Sequence, residues 1–139
     1  TNIDQAIRNG FTTIISLSYL QAEELENAAK DNPKLKFALV DGEITGKKNI
    51  SSATFKDQES AYLAGLAAAY TTKSDQVGFI GGMEGPVIQR FQSGFEAGVK
   101  AGATALNKEI TVNVQYAASY DSLDKGKAIA ASMYKEGVD

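Results

Sequence analysis

Five short runs rich in apolar and β-branched residues divide the chain: residues 11–17 (FTTIISL), 35–40 (LKFALV), 50–55 (ISSATF), 76–80 (QVGFI) and 110–116 (ITVNVQY). The first, second and fourth are almost unbroken apolar segments, the pattern of central parallel strands covered on both faces. The fifth alternates, with Ile110, Val112, Val114 and Tyr116 on one side and Thr111, Asn113 and Gln115 on the other. That spacing predicts a half-exposed strand.

Helical patterns lie between these runs. Residues 22–30 set Ala22, Leu25, Ala28 and Ala29 on one face and Glu23, Glu24, Glu26 and Asn27 on the other. Residues 57–70 begin with acidic residues suited to a helix N-terminus and continue almost wholly apolar. Residues 86–101 start on Pro86, which a first helical turn tolerates because its missing N–H would be unpaired anyway. Val87, Phe91, Phe95 and Val99 follow at steps of four. Residues 123–135 form the last helix, with Asp121 or Ser122 available as its cap.

Strand and helix alternating through short connections predict an α/β fold with parallel sheet. The stretch 71–75 (TTKSD) is the most linker-like in the chain and marks the expected domain boundary. The first residues form a helical pattern with no strand before it, and the last follow a helix that stops at Gly137, where a strand is due. The expectation is a fragment of a larger α/β protein, its sheets short of neighbours.

Composition narrows the chemistry. Fourteen Lys and Arg against seventeen Asp and Glu give a net charge of −3, so no basic excess draws in nucleic acid. Cys, His and Trp are absent. That excludes a thiolate nucleophile, a Cys/His metal site, a Ser-His-Asp triad and any imidazole acid or base, so no catalytic residue, metal or cofactor is assigned. No run approaches the roughly 20 apolar residues that a membrane span needs.

Several positions are candidates for ligand contact. Gly81 and Gly82 lie at a strand-to-helix turn, where glycine lets backbone approach a ligand; the competing reading is a tight turn with no ligand. The spacing matches neither nucleotide-binding glycine fingerprint. Asp41 directly follows the strand 35–40, at the carboxyl end where open α/β sheets bind ligands, yet Asp41-Gly42 is also a strong turn dipeptide. Tyr19 and Tyr120 sit just beyond strand ends, where a ring can stack on a planar ligand or simply pack over the sheet. Gly94, Gly98 and Gly102, four apart on one helix, point to close packing of that helix on the sheet.

The run TFKDQESAYLAGLAAA (54–69), followed by VGFIGGM (77–83) and PVIQRFQSGFEAGV (86–99), resembles the basic membrane protein family, the purine nucleoside receptor A type substrate-binding lipoproteins of bacterial ABC importers. KFALVD (36–41), QYAASYD (115–121), Lys125-Gly126-Lys127 and Met133-Tyr134 extend the resemblance over nearly the whole chain. It implies two lobes of the type I periplasmic-binding-protein kind, each a doubly wound parallel sheet and each incomplete here: residues 1–74 and residues 75–139. It also implies a purine nucleoside held between the lobes without chemistry, a permease partner, and a lipid anchor at the outer face of the cell membrane. Asp41 then matches a ligand-site acid, Tyr120 a Phe that stacks on the base, and Gly81 and Gly82 a loop at the cleft. Glycines are usual in the family where Ser16-Leu17-Ser18-Tyr19 stands here. The family's Asp-x-Gly-Gly-x-Asn-Asp loop, lipidated cysteine and late ribose-binding Asp and Lys have no counterpart in this chain. Two alternatives remain: a ligand-sensing effector domain of a repressor with the same fold, and a binder of sugar-like molecules. Open sheet edges imply self-association of the fragment.

Overall fold

The computed structural model describes every residue, Thr1–Asp139, as two compact units, Thr1–Phe55 and Lys56–Asp139. In the first, α1 (Asn2–Arg8), β1 (Thr13–Leu17), a 3-10 turn (Tyr19–Gln21), α2 (Ala22–Asp31), β2 (Lys36–Val40) and β3 (Ile50–Ala53) follow one another. The strands form a parallel sheet in the order β1-β2-β3, with Ile14 opposite Phe37 and Phe37 opposite Ile50. Period-two alternation sends Ile14, Phe37, Leu39 and Ile50 to one face, where Ile3 of α1 and Leu25, Ala28 and Ala29 of α2 complete the core. The other face of β1 is bare: Ile15 and Leu17 are 64% and 67% exposed. The run 11–17 is therefore not covered on both sides as its sequence predicts. Its apolar residues alternate between a core face and an open one.

The second unit contains α3 (Asp57–Thr71), β4 (Gln76–Gly81), α4 (Pro86–Leu106), β5 (Thr111–Tyr116) and α5 (Leu123–Lys135). Strands β4 and β5 pair in parallel, Val77 opposite Val112 and Gly81 opposite Tyr116. Val77 packs into a core with Ala69 and Val99, and Phe79 meets Phe95 of α4 with ring centroids 5.9 Å apart. On the opposite face, a Cβ at Gly78 would lie 3.0 Å from Met133 Sδ of α5. Here the unbroken apolar pattern is matched by a strand with a helix on each side. Helix α4 runs beyond the predicted Ala101 to Leu106, where Ala103, Ala105 and Leu106 are good helix formers, and Asn107 ends it in the left-handed conformation (φ 53°).

Packing divides the chain between Phe55 and Lys56, and not at residues 74 and 75, where linker-like composition placed the boundary. The reason is how α3 packs. Its partner is α4, and the contact is so close that a Cβ at Gly65 would lie 2.1 Å from the Phe95 carbonyl oxygen, and one at Gly98 2.0 Å from that of Tyr62. At Gly94 the Gln58 carbonyl oxygen would be 2.4 Å away. The small-residue seam on α4 thus faces a helix, which corrects the expectation of helix on sheet. Gly65 on α3 supplies the reciprocal gap. An ion pair closes the same interface near its start: Arg90 Nε donates to Asp57 Oδ2 at 3.0 Å, with Nη2 2.9 Å from the same oxygen. Asp57 is buried at the first position of α3, where the helix dipole also favours a carboxylate.

Candidate functional site

The carboxyl ends of the parallel strands carry an unusual share of backbone strain. Ser18 after β1 (φ 92°), Asp41 after β2 (φ 63°) and Ala118 after β5 (φ 50°) all hold positive φ without being glycine. Such conformations cost about 1–3 kcal/mol each and persist where the surroundings impose them, often at ligand sites. These are also the ends at which open α/β sheets bind ligands.

In the first unit the structure brings Tyr19, Asp41 and Gly42 together. The Ser18 N–H donates to the Val40 carbonyl at 2.9 Å, and the Asp41 N–H to the Ala53 carbonyl at 2.8 Å, so the ends of β1, β2 and β3 are tied in sequence. Tyr19 opens the 3-10 turn, whose Gln21 accepts from the buried Ser16 hydroxyl. A Cβ at Gly42 would stand 3.0 Å from Tyr19 Cα and 2.8 Å from Leu39 Cδ2. Glycine is needed there because the two strand-end turns touch. Asp41, half-buried on this rim, can accept hydrogen bonds from a hydroxyl or N–H.

In the second unit Gly81, Gly82 and Tyr120 form one structure. The Ala117 N–H donates to the Gly81 carbonyl at 2.9 Å, which carries the β4–β5 pairing to the last residue of β4. The Tyr120 ring lies on Gly82, where a Cβ would be 2.3 Å from Cε1 and 2.4 Å from Cδ1. No other residue type leaves room for that ring. Tyr120 is still 49% exposed, so part of the seated ring faces solvent. A planar ligand can stack on such a surface. The turn around it is closed by the Ser119 hydroxyl, which donates to Asp121 Oδ1 at 2.7 Å and holds the Asp121 carboxyl below its usual pKa.

Sequence reasoning missed the neighbouring group. Tyr116 ends β5, and its ring lies on Gly81, where a Cβ would be 2.5 Å from Cε1. Its hydroxyl donates to Gln92 Oε1 of α4 at 2.6 Å, and Gln92 Nε2 donates to Glu96 Oε1 at 2.8 Å. Burial, with the Glu84 and Glu96 carboxylates and Tyr120 nearby, pushes the Tyr116 phenol above its usual pKa. From the sequence, Tyr116 is only the last member of an alternating strand and Gln92 a polar helix position. The glycine beneath the ring is the one local signal. No group of three acidic, His or Cys side chains is assembled to hold a metal, and no helix is long and apolar enough to cross a membrane.

In each unit by itself, the carboxyl ends of the parallel strands form turns that present a group able to touch a ligand: the Asp41 carboxylate in the first and the seated Tyr120 ring in the second. Strand-end turns of this kind are where α/β ligand-binding domains hold their ligands. The chain belongs to the Bmp family, described as ABC transporter substrate-binding protein PnrA-like, which matches residues 1–139. The family is one of solute-binding proteins and not of enzymes. The chain is 45% identical over 139 residues to the ABC transporter nucleoside-binding protein BmpA of Lactococcus lactis, covering 100% of this chain and 38% of that one. A solute-binding protein of an ABC transporter system from Aeropyrum pernix K1 has a similar structure, with a TM-score of 0.85 and 27% identity over 99% of this chain and 40% of that one. The fold is also similar to that of a protein from Bacillus halodurans described as a transcriptional activator of the comK gene: TM-score 0.72, 25% identity, 99% of this chain and 46% of that one. The chain thus spans about two fifths of the length of the curated relatives it matches.

Proposed function

We propose that the full-length protein containing this chain is the substrate-binding component of an ABC importer, and that its ligand is a purine nucleoside held in a cleft between two lobes. The observation that carries this reading is the whole-chain match to a substrate-binding family that includes a relative named as nucleoside-binding. The Tyr120 ring, seated on Gly82 and half exposed, supports it from the chemistry: a purine presents a large π-face to stack on such a ring. Asp41 accepts from a ligand hydroxyl or N–H, Tyr19 adds wall surface beside it, and Gly81 and Gly82 make room at the strand end for the Tyr116 and Tyr120 rings. The partner is a transporter permease, and a lipid anchor holds the protein at the outer face of the cell membrane.

The experiment is calorimetric titration of the full-length protein with adenosine, guanosine, inosine, cytidine and simple sugars. Heat from purine nucleosides, with the nucleoside recovered unchanged, is the expected result. Heat from a sugar or an amino acid alone refutes the nucleoside assignment, and any turnover refutes the reading as a binding protein.

A further inference from the structure

Two tyrosines four residues apart rest on two consecutive glycines. Tyr116 covers Gly81 and Tyr120 covers Gly82, each ring so close that a Cβ on the glycine beneath would come within 2.5 Å of it. The Tyr116 hydroxyl is tied to a helix. Tyr116 donates to Gln92 at 2.6 Å, and the Gln92 carbonyl is aimed at it because the amide's other end donates to Glu96 at 2.8 Å. Gln92 and Glu96 lie one turn apart on α4, so the chain of hydrogen bonds is anchored to a rigid element.

We propose that Tyr116 is a positioning residue for the Tyr120 stacking surface, its hydroxyl and Gln92 setting the height and tilt of the glycine pair on which Tyr120 rests. Three observations carry this inference, which takes Tyr120 as the ligand-stacking residue proposed above. First, the Tyr116 ring and Ile88 of α4 both fill the space beside Gly81, where a Cβ would lie 2.5 Å from Tyr116 Cε1 and 3.2 Å from Ile88 Cγ2, so the strand end packs directly on Tyr116. Second, the peptide that follows Tyr116 is bonded to Gly81, because the Ala117 N–H donates to its carbonyl. Third, the segment between the rings contains Ala118 in a strained left-handed conformation, and strain of that kind persists only while its surroundings hold it. A tether on Tyr116 is therefore passed to Tyr120 by two routes, through the glycines and along the chain.

The test uses the full-length protein labelled with 3-fluorotyrosine, with the Tyr120 resonance assigned through Tyr120→Phe. Tyr116→Phe keeps the ring and removes only the tether; Gln92→Met removes the acceptor from the other side. Both are expected to shift or broaden the Tyr120 fluorine resonance in the ligand-free protein and to weaken purine nucleoside binding about three- to tenfold, the size of one lost hydrogen bond. In a Tyr120→Ala background, Tyr116→Phe should change affinity less than about twofold, because the surface it positions is gone. An unchanged Tyr120 resonance overturns the proposal, and so does a full, additive loss in the double variant. A protein that binds no purine nucleoside refutes the nucleoside assignment, while the ligand-free resonance still decides the role of Tyr116.

Discussion

Replacing Gly98 with Ala tests the helix seam that places α3 in the second unit. The added Cβ would sit 2.0 Å from the Tyr62 carbonyl oxygen and 2.8 Å from the Leu66 nitrogen, where ordinary contact begins at 3.4 Å. The helices would have to separate by about 1.4 Å at that point, and the obstructing atoms are backbone, so no side chain can swing aside. Overpacking of a core costs typically about 1–3 kcal/mol, and the rigid obstruction puts this site at the upper end. Alanine recovers about 1 kcal/mol of helix propensity over glycine, leaving a net loss of about 2 kcal/mol. Gly126→Ala is the matched control: it lies in helix α5 with nothing within 4 Å of the new Cβ, so it should stabilise by about 0.5–1 kcal/mol. Urea unfolding followed by circular dichroism compares the two, and in thermal melts the loss at Gly98 corresponds to a fall of about 8 °C. If Gly98→Ala is as stable as the parent or as favourable as Gly126→Ala, α3 and α4 do not meet there and the reasoning fails.

Other expectations follow from the strand ends and the chain's last residue. Tyr120→Ala should weaken nucleoside binding by about 5- to 150-fold, the range for one lost stacking surface at about 1–3 kcal/mol, and Tyr120→Phe much less; intact affinity with a lowered melting temperature would make Tyr120 a packing residue. Asp41→Gly should relieve the positive φ and raise the melting temperature while weakening binding, and a loss of stability would show that the carboxylate holds the fold. Asp139 accepts from the Thr72 hydroxyl at 2.5 Å and the Lys73 N–H at 2.7 Å, and these bonds lower its pKa to about 2. Because the folded value is depressed, the contact is complete above the usual 3.8 and lost as pH falls through about 2, so the Lys73 amide resonance should move in that window and not between pH 5 and 7. The bare face and edge of β1, with Ile15 and Leu17 exposed, should make the isolated 139-residue chain self-associate; a monomer by light scattering at micromolar concentration would count against it.

Local pattern determined the elements. Each of the five apolar runs contains a strand, each predicted helix is present, and Pro86 opens α4, because hydrophobic period and end signals act within a few residues. The family was legible for a related reason: glycines and apolar positions in residues 54–99 keep the order that this packing requires. What the pattern left open were the partners. Helix α3 is apolar on nearly every side, so its sequence says that it packs and not against what; complementary gaps at Gly65, Gly94 and Gly98 decide for α4. The linker-like residues 71–75 therefore turn within a unit and do not divide two. The run 11–17 is equally ambiguous, since an apolar residue reads the same whether a helix covers it, as at Ile14, or nothing does, as at Ile15. At the proposed site, Gly81, Gly82 and Tyr120 stand out as candidates because strand-end glycines and aromatics are marked residue types. Tyr116 and Gln92 were not, for their bond joins a strand to a helix 24 positions away, and a contact between distant segments exists only once the chain has folded.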